Sequence, residues 1–156
     1  MLFRSTDVLR CALGDDVDDR VKTCRPFLHS GKQLQSCASF IVLGELVNEV
    51  LTERKKLDLQ DVARILERQT KSGNLVTYGL GDKATRAFAT AKELRSQERE
   101  LTPCDAMIVA CAIEDPACSV LYTFDRLLLE SDMIQRYVAD HSRKIKPVEA
   151  AAALRA

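Results

Sequence analysis

The chain has no excess of either charge: 23 Lys and Arg face 23 Asp and Glu, for a formal net charge of zero. A surface so balanced has no general attraction for polyanions, so any contact with nucleic acid is confined to a local patch. Long apolar runs are missing as well. No stretch approaches the roughly 20 residues that span a bilayer, and the opening Leu2-Phe3 is cut off at once by Arg4. Neither a membrane helix nor a cleaved leader is expected, and the chain reads as cytoplasmic. Its six cysteines, Cys11, Cys24, Cys37, Cys104, Cys111 and Cys118, contain no C-x-x-C pair. That argues against zinc and dithiol motifs and leaves buried free thiols as the reading. The two histidines, His29 and His141, fall in polar segments with no sign of a general base. Gly79-Leu-Gly81 is too short for the G-x-G-x-x-G dinucleotide turn. No internal repeat or low-complexity linker interrupts the 156 residues, which are read as one domain over 1–156 with a core of its own.

What is present is an alternation of short apolar strands and amphipathic helices. Leu2-Phe3-Arg4 opens a strand, and Ser5-Thr6-Asp7 turns into a helix with Val8, Leu9, Ala12 and Leu13, closed by Gly14. The acidic run Asp15 to Asp19 starts a helix toward Leu28, broken by Pro26 and stopped by Gly31. Leu34 to Cys37 reads as a strand and Ala38 to Arg54 as a strong helix, whose stripe of Phe40, Leu43, Val47, Val50 and Leu51 is expected in the core or at a dimer contact. A helix from Asp58 or Asp61 to Gly73 precedes the strand Leu75-Val-Thr-Tyr, and Asp82 to Arg95 lines Ala84, Ala87, Phe88, Ala91 and Leu94 along one face.

The stretch Leu101 to Glu130 is the most informative. Thr102 is placed to cap a helix with Pro103 at its first position, and Ala106, Ile108, Val109, Ala112 and Ile113 make that helix apolar nearly all round, hence buried. Glu114-Asp115-Pro116 stops it, and Ser119 to Phe124 follows as a strand of the kind found in covered parallel sheets. Asp132 to Ala139, Lys144-Ile-Lys and a tail helix from Pro147 complete a helix, a strand and a helix. Strands separated by helices imply an α/β fold with a mainly parallel sheet and helices on both faces.

Four carboxylates sit where a plain surface acid is not expected. Glu45 lies in Ser39-Phe-Ile-Val-Leu-Gly-Glu-Leu-Val, among apolar helical neighbours, where an ionised carboxylate costs several kcal/mol unless a cation or donor meets it. Asp105 follows Thr102 at capping-box spacing in the first turn of the buried helix. Asp125 comes just after a strand, where open α/β sheets place ligands, and Asp7 opens the first helix. Taken alone, Asp105, Asp125 and Asp7 read as helix caps or first-turn residues and Glu45 as a solvent-edge glutamate paired with Arg or Lys; their joint placement is what points to chemistry.

Ser5-Thr-Asp-Val-Leu, Ser39-x5-Glu45-Leu, Thr102-Pro-Cys-Asp105-Ala-Met-Ile-Val-Ala and Val120-Leu-Tyr-Thr-Phe-Asp125-Arg, in this order, resemble the PIN-domain family and especially its VapC-type toxin ribonucleases. The resemblance implies a three-layer α/β/α sandwich in which Asp7, Glu45, Asp105 and Asp125 bind Mg²⁺ or Mn²⁺ and hydrolyse RNA. It also implies an antitoxin partner, and an apolar face on the early helices suits a homodimer. Arg4, Arg10, Arg126 and the run Arg54-Lys-Lys are the cations placed for a phosphate backbone. One position departs from the family: its opening Asp is here Ser5. The alternative reading is therefore a PIN-like RNA-binding or protein-interaction module with impaired catalysis.

Overall fold

The computed structural model describes residues 2–4, 6–13, 23–24, 36–52, 58–73, 75–78 and 81–150. The chain runs β1 (Leu2–Arg4), α1 (Thr6–Leu13), β2 (Ser36–Ser39), α2 (Phe40–Thr52), α3 (Leu59–Lys71) and β3 (Leu75–Tyr78). A 3₁₀ turn (Gly81–Lys83) then leads to α4 (Ala84–Gln97), α5 (Pro103–Glu114), β4 (Val120–Thr123), α6 (Arg126–Glu130), α7 (Asp132–Asp140) and β5 (Lys144–Pro147).

Local chemistry sets these boundaries. Ser39 ends β2, and its buried hydroxyl accepts from Val42 N at 3.2 Å, so α2 starts with no intervening loop. Asp58 caps α3 by accepting from Gln60 N at 3.1 Å, and Gly73, at φ +74°, closes the helix in the left-handed conformation that glycine tolerates. Thr102 caps α5 with Pro103 at its start, as the sequence predicts.

All strand pairs are parallel, in the order β3-β2-β1-β4-β5. β1 is central: Phe3 stands opposite Cys37 of β2 on one side and Leu121 of β4 on the other. The order reverses between β1 and β4, so the switch point of this sheet lies between those two strands.

Helix α5 is the core's main element. Ala106, Ile108, Val109, Ala110, Cys111, Ala112 and Ile113 are all buried, and each large aliphatic among them contributes about 1.5–3 kcal/mol by leaving water. It packs along α4, whose Ala87, Thr90, Ala91 and Leu94 are buried. Glu114 locks the pair at one end, accepting from Arg86 Nε at 2.9 Å and Thr90 Oγ1 at 3.1 Å. Asp115, buried beyond the helix, accepts from Ala117 N at 3.0 Å and lies 4.0 Å from the Cys37 thiol. Burial first, and then the charge of Asp115, push that thiol from 9.0 up to about 12. Arg143 donates to the carbonyls of Asp115 (3.1 Å) and Ile113 (3.4 Å), tying the approach to β5 onto the end of α5.

Some expectations narrow or shift. On α2, the fully buried residues are Val42 and Leu46, whereas Phe40, Val47 and Leu51 face outward, which rules out the core for these three and leaves the other reading, a contact. Nearly every position from Phe40 to Val47 is apolar, so periodicity fixes a helix there without fixing its rotation. On α4, Phe88 is likewise exposed, because the close pairing with α5 selects the small residues Ala87 and Ala91. The strand β2 extends to Ser39 and α4 to Gln97, each past its expected end. The expected helix from Asp15 toward Leu28, the stops at Gly14 and Gly31, His29, the run Arg54-Lys-Lys and the tail beyond Ala150 lie wholly or largely outside the described residues.

Candidate functional site

A parallel sheet gathers the chain's acids by topology. Helices α1, α2 and α6 each begin directly after a strand, so their first turns lie at the carboxyl edge of the sheet. Helix α5 precedes β4 and runs back toward that strand's start, so its N-terminus returns to the same edge. Asp7 in the first turn of α1, Asp105 in the first turn of α5 and Asp125 between β4 and α6 therefore share one edge, and Glu45, in the second turn of α2, joins them through its effect on Cys104. It is the edge where open α/β sheets hold their ligands.

Two of these carboxylates meet around one side chain. The thiol of Cys104, in the first turn of α5, hydrogen-bonds to Glu45 and also feels the charge of Asp105. The hydrogen bond to Glu45, partial burial and the two negative charges together raise this thiol from 9.0 to about 11. Glu45 and Asp105 are both half-buried. Asp105 is held by a reciprocal cap: its backbone N–H donates to Thr102 Oγ1 at 3.1 Å, and the Thr102 hydroxyl donates back to Asp105 Oδ2. The helix dipole favours the carboxylate at this end by a further 0.3 to 1 kcal/mol or so.

Asp125 is fixed by a different cap. Its Oδ1 accepts from Leu127 N at 2.7 Å and Leu128 N at 3.3 Å, while its own N–H donates to Thr123 Oγ1 at 3.0 Å. One carboxylate oxygen thus holds the turn, and Oδ2 accepts no hydrogen bond among the described residues. The side chains of Asp7, Arg4 and Arg10, and the whole of Ser5, lie outside the described residues; Arg126 is exposed beside Asp125.

Among the described residues, no group of three or more His, Cys, Asp or Glu side chains is placed to hold a metal ion. Two carboxylates on facing helices nonetheless suit one class of cation. Mg²⁺ prefers hard oxygen donors, keeps several waters and is commonly bound through only one or two carboxylates together with substrate phosphates.

The chain matches no family model and no curated protein. Two solved structures resemble it over nearly its whole length. One is VapBC2 from Rickettsia felis bound to a DNA fragment from their promoter, at 16% identity and a TM-score of 0.60 over 94% of this chain and 98% of that one. The other is FitAcB from Neisseria gonorrhoeae, also at 16% identity, with a TM-score of 0.56 over 93% and 96%. The likeness shows a shared fold.

Sequence reading misses Cys104. Taken for a buried thiol, it is exposed, unlike Cys24, Cys37, Cys111 and Cys118. Cys104 and Cys111 sit seven residues apart on one helical face and differ because the first turn of α5 emerges at the sheet edge. The only available signal is its place between the helix-starting Pro103 and Asp105. His141 is exposed as expected: Nδ1 lies 2.8 Å from the Tyr137 carbonyl and the ring stacks on Tyr137 at 4.7 Å, away from these acids in sequence and element. No helix among the described residues is long and apolar enough to cross a membrane.

Proposed function

We propose that the chain is a metal-dependent endoribonuclease of PIN type, the toxin of a toxin–antitoxin pair, built as a single domain over 1–156. The right-handed rule for parallel crossovers supports its three-layer form: connections leaving β1 in one direction along the sheet and β4 in the other place helices on opposite faces. The observation that carries the reading is the meeting of Glu45 and Asp105 around Cys104 at the carboxyl edge of a parallel sheet with its switch point between β1 and β4.

In this reading Glu45 and Asp105 hold Mg²⁺ or Mn²⁺. Asp125 and Asp7 would supply further carboxylates from the starts of α6 and α1. The bound ion supplies an activated water and neutralises charge on the phosphoryl oxygens of the RNA. The caps at Thr102 and on α6 set the two aspartates before substrate arrives, so little ordering remains when it binds. Arg126, exposed next to Asp125, meets the phosphate backbone. The outward apolar residues of α2, Phe40, Val47 and Leu51, offer a contact for a second copy or for an antitoxin.

Purified protein incubated with single-stranded and stem-loop RNAs tests this. Cleavage is expected with Mn²⁺, none with EDTA and none with Asp105→Asn; EDTA-resistant or Asp105-independent cleavage contradicts it. Ser5 favours the second reading, a binding module, because a hydroxyl is a weaker ligand than the family's opening Asp. If that reading holds, wild type binds RNA without cutting it, whereas the enzyme reading has wild type cut and Ser5→Asp equal or exceed it.

A further inference from the structure

With a net charge of zero, the chain can meet nucleic acid only through a local patch, and helix α4 carries one. Its inner face buries Ala87, Thr90, Ala91 and Leu94, which turns Phe88 outward, 60% exposed. Lys92 and Arg95 stand four and seven residues beyond it, both exposed, so the three lie within about 60° of arc on one side of the helix. The neighbouring acids face elsewhere. Glu93 accepts from the Tyr137 hydroxyl at 2.8 Å and Glu98 from the Ser131 hydroxyl at 2.8 Å, so both point toward α7 and its cap. Among the described residues, no acid forms an ion pair with Lys92 or Arg95. Arg99 and Glu100 follow in the loop and cancel in charge.

The stripe ends at the carboxyl edge of the sheet. Arg95 Nε donates to the Leu101 carbonyl at 3.0 Å, one residue before the Thr102 cap that starts α5 and fixes Asp105. From Arg95 back to Phe88 is about 10 Å along the helix axis. Resting on the reading that this edge takes RNA, we propose that the outer face of α4 is a track for single-stranded RNA: Arg95 and Lys92 meet backbone phosphates as the strand leaves the edge, and one base stacks on the ring of Phe88. Cations beside an exposed aromatic are what strand binding needs, since phosphates supply charge and every base has a face to stack. A protein partner fits this face less well, because covering it would strip water from two cations that have no acid to meet them. The contacts are to phosphates and a base face, so they are indifferent to sequence.

The test reads binding apart from cleavage, by fluorescence anisotropy of a short labelled oligouridine in EDTA. Lys92→Gln is expected to lower the slope of log affinity against log salt by about 0.7. Phe88→Ala is expected to bind about fivefold or more weakly, with Phe88→Tyr near wild type and the melting temperature held in all three. The chain has no tryptophan, so Phe88→Trp puts the single indole on this face, and its emission is expected to be quenched as RNA saturates the protein. An unchanged salt slope in Lys92→Gln, unchanged affinity in Phe88→Ala, or an indole unquenched by bound RNA overturns the track and leaves the nuclease reading standing. Phe88→Ala that dissociates a dimer while binding RNA as wild type does assigns the face to a second copy and also overturns it. Wild type that neither binds nor cleaves RNA overturns the RNA reading and the track with it.

Discussion

The thiol of Cys104 hydrogen-bonds to the carboxylate of Glu45, joining the first turn of α5 to the middle of α2 across 58 intervening residues of sequence. The contact brings a second acid, Asp105, into the same electrostatic neighbourhood. Asp105 sits on the buried helix α5 and Glu45 on α2, which has one face in the core and one outward. The site is thus a consequence of the fold: move α5 off α2 and the pair separates.

Asp125 has two tasks, and substitution can separate them. Asp125→Ala removes both hydrogen bonds to the start of α6 and is expected to cost about 1 kcal/mol in urea denaturation, as lost caps do. Asp125→Ser keeps a capping oxygen and is expected to restore most of that stability. Neither variant restores RNA cleavage, since a serine hydroxyl does not replace the carboxylate in holding a divalent ion. A serine variant as active as wild type removes Asp125 from the metal set.

Alkaline pH is expected to destabilise the fold from about pH 9. Cys37 rises from 9.0 to about 12 and Cys111 from 9.0 to about 11, in both cases first by burial. Between the unfolded and folded values the unfolded chain has lost these protons and the native state still holds them, so stability is complete below the lower value and falls as pH rises. Tyr137, pushed from 10.0 to about 12 by burial and by its bond to Glu93, adds to the loss at the upper end. Urea midpoints between pH 8 and 11 check this; Cys37→Ala should flatten the decline.

The outward face of α2 predicts a change in assembly without a change in folding. Phe40 is 71% exposed and Leu51 68%, so Phe40→Glu and Leu51→Glu are expected to alter stability by under about 0.5 kcal/mol. Light scattering should show loss of any dimer, and co-purification loss of any antitoxin. Mutants that keep the wild-type assembly place the interface elsewhere.

Much of this fold is legible in the sequence, for identifiable reasons. Helix α5 announces itself through Thr102, Pro103 and an unbroken apolar surface, and β3 through the compact Leu-Val-Thr-Tyr run, because start signals and β-branched residues act locally. The rotation of α2 is not legible: with apolar residues at almost every position, only contact with α1 and α5 chooses Val42 and Leu46 over Phe40 and Val47. The same limit applies to the site. Asp105 can be read from spacing as the partner of a Thr102 cap and Asp125 as a cap, and both are so placed. That Glu45 reaches the first turn of α5 depends on the sheet order, which no local pattern encodes, and Cys104 was invisible for that reason.

The most direct measurement of the central claim is electron paramagnetic resonance of Mn²⁺, in which the free aqueous ion gives a sharp signal that diminishes on binding. Added to the purified protein, Mn²⁺ should lose its free signal up to a defined stoichiometry. Glu45→Gln and Asp105→Asn should each bring that signal back, with the melting temperature held. A free-ion signal undiminished by wild type, or diminished equally by both variants, would contradict a divalent cation held between α2 and α5.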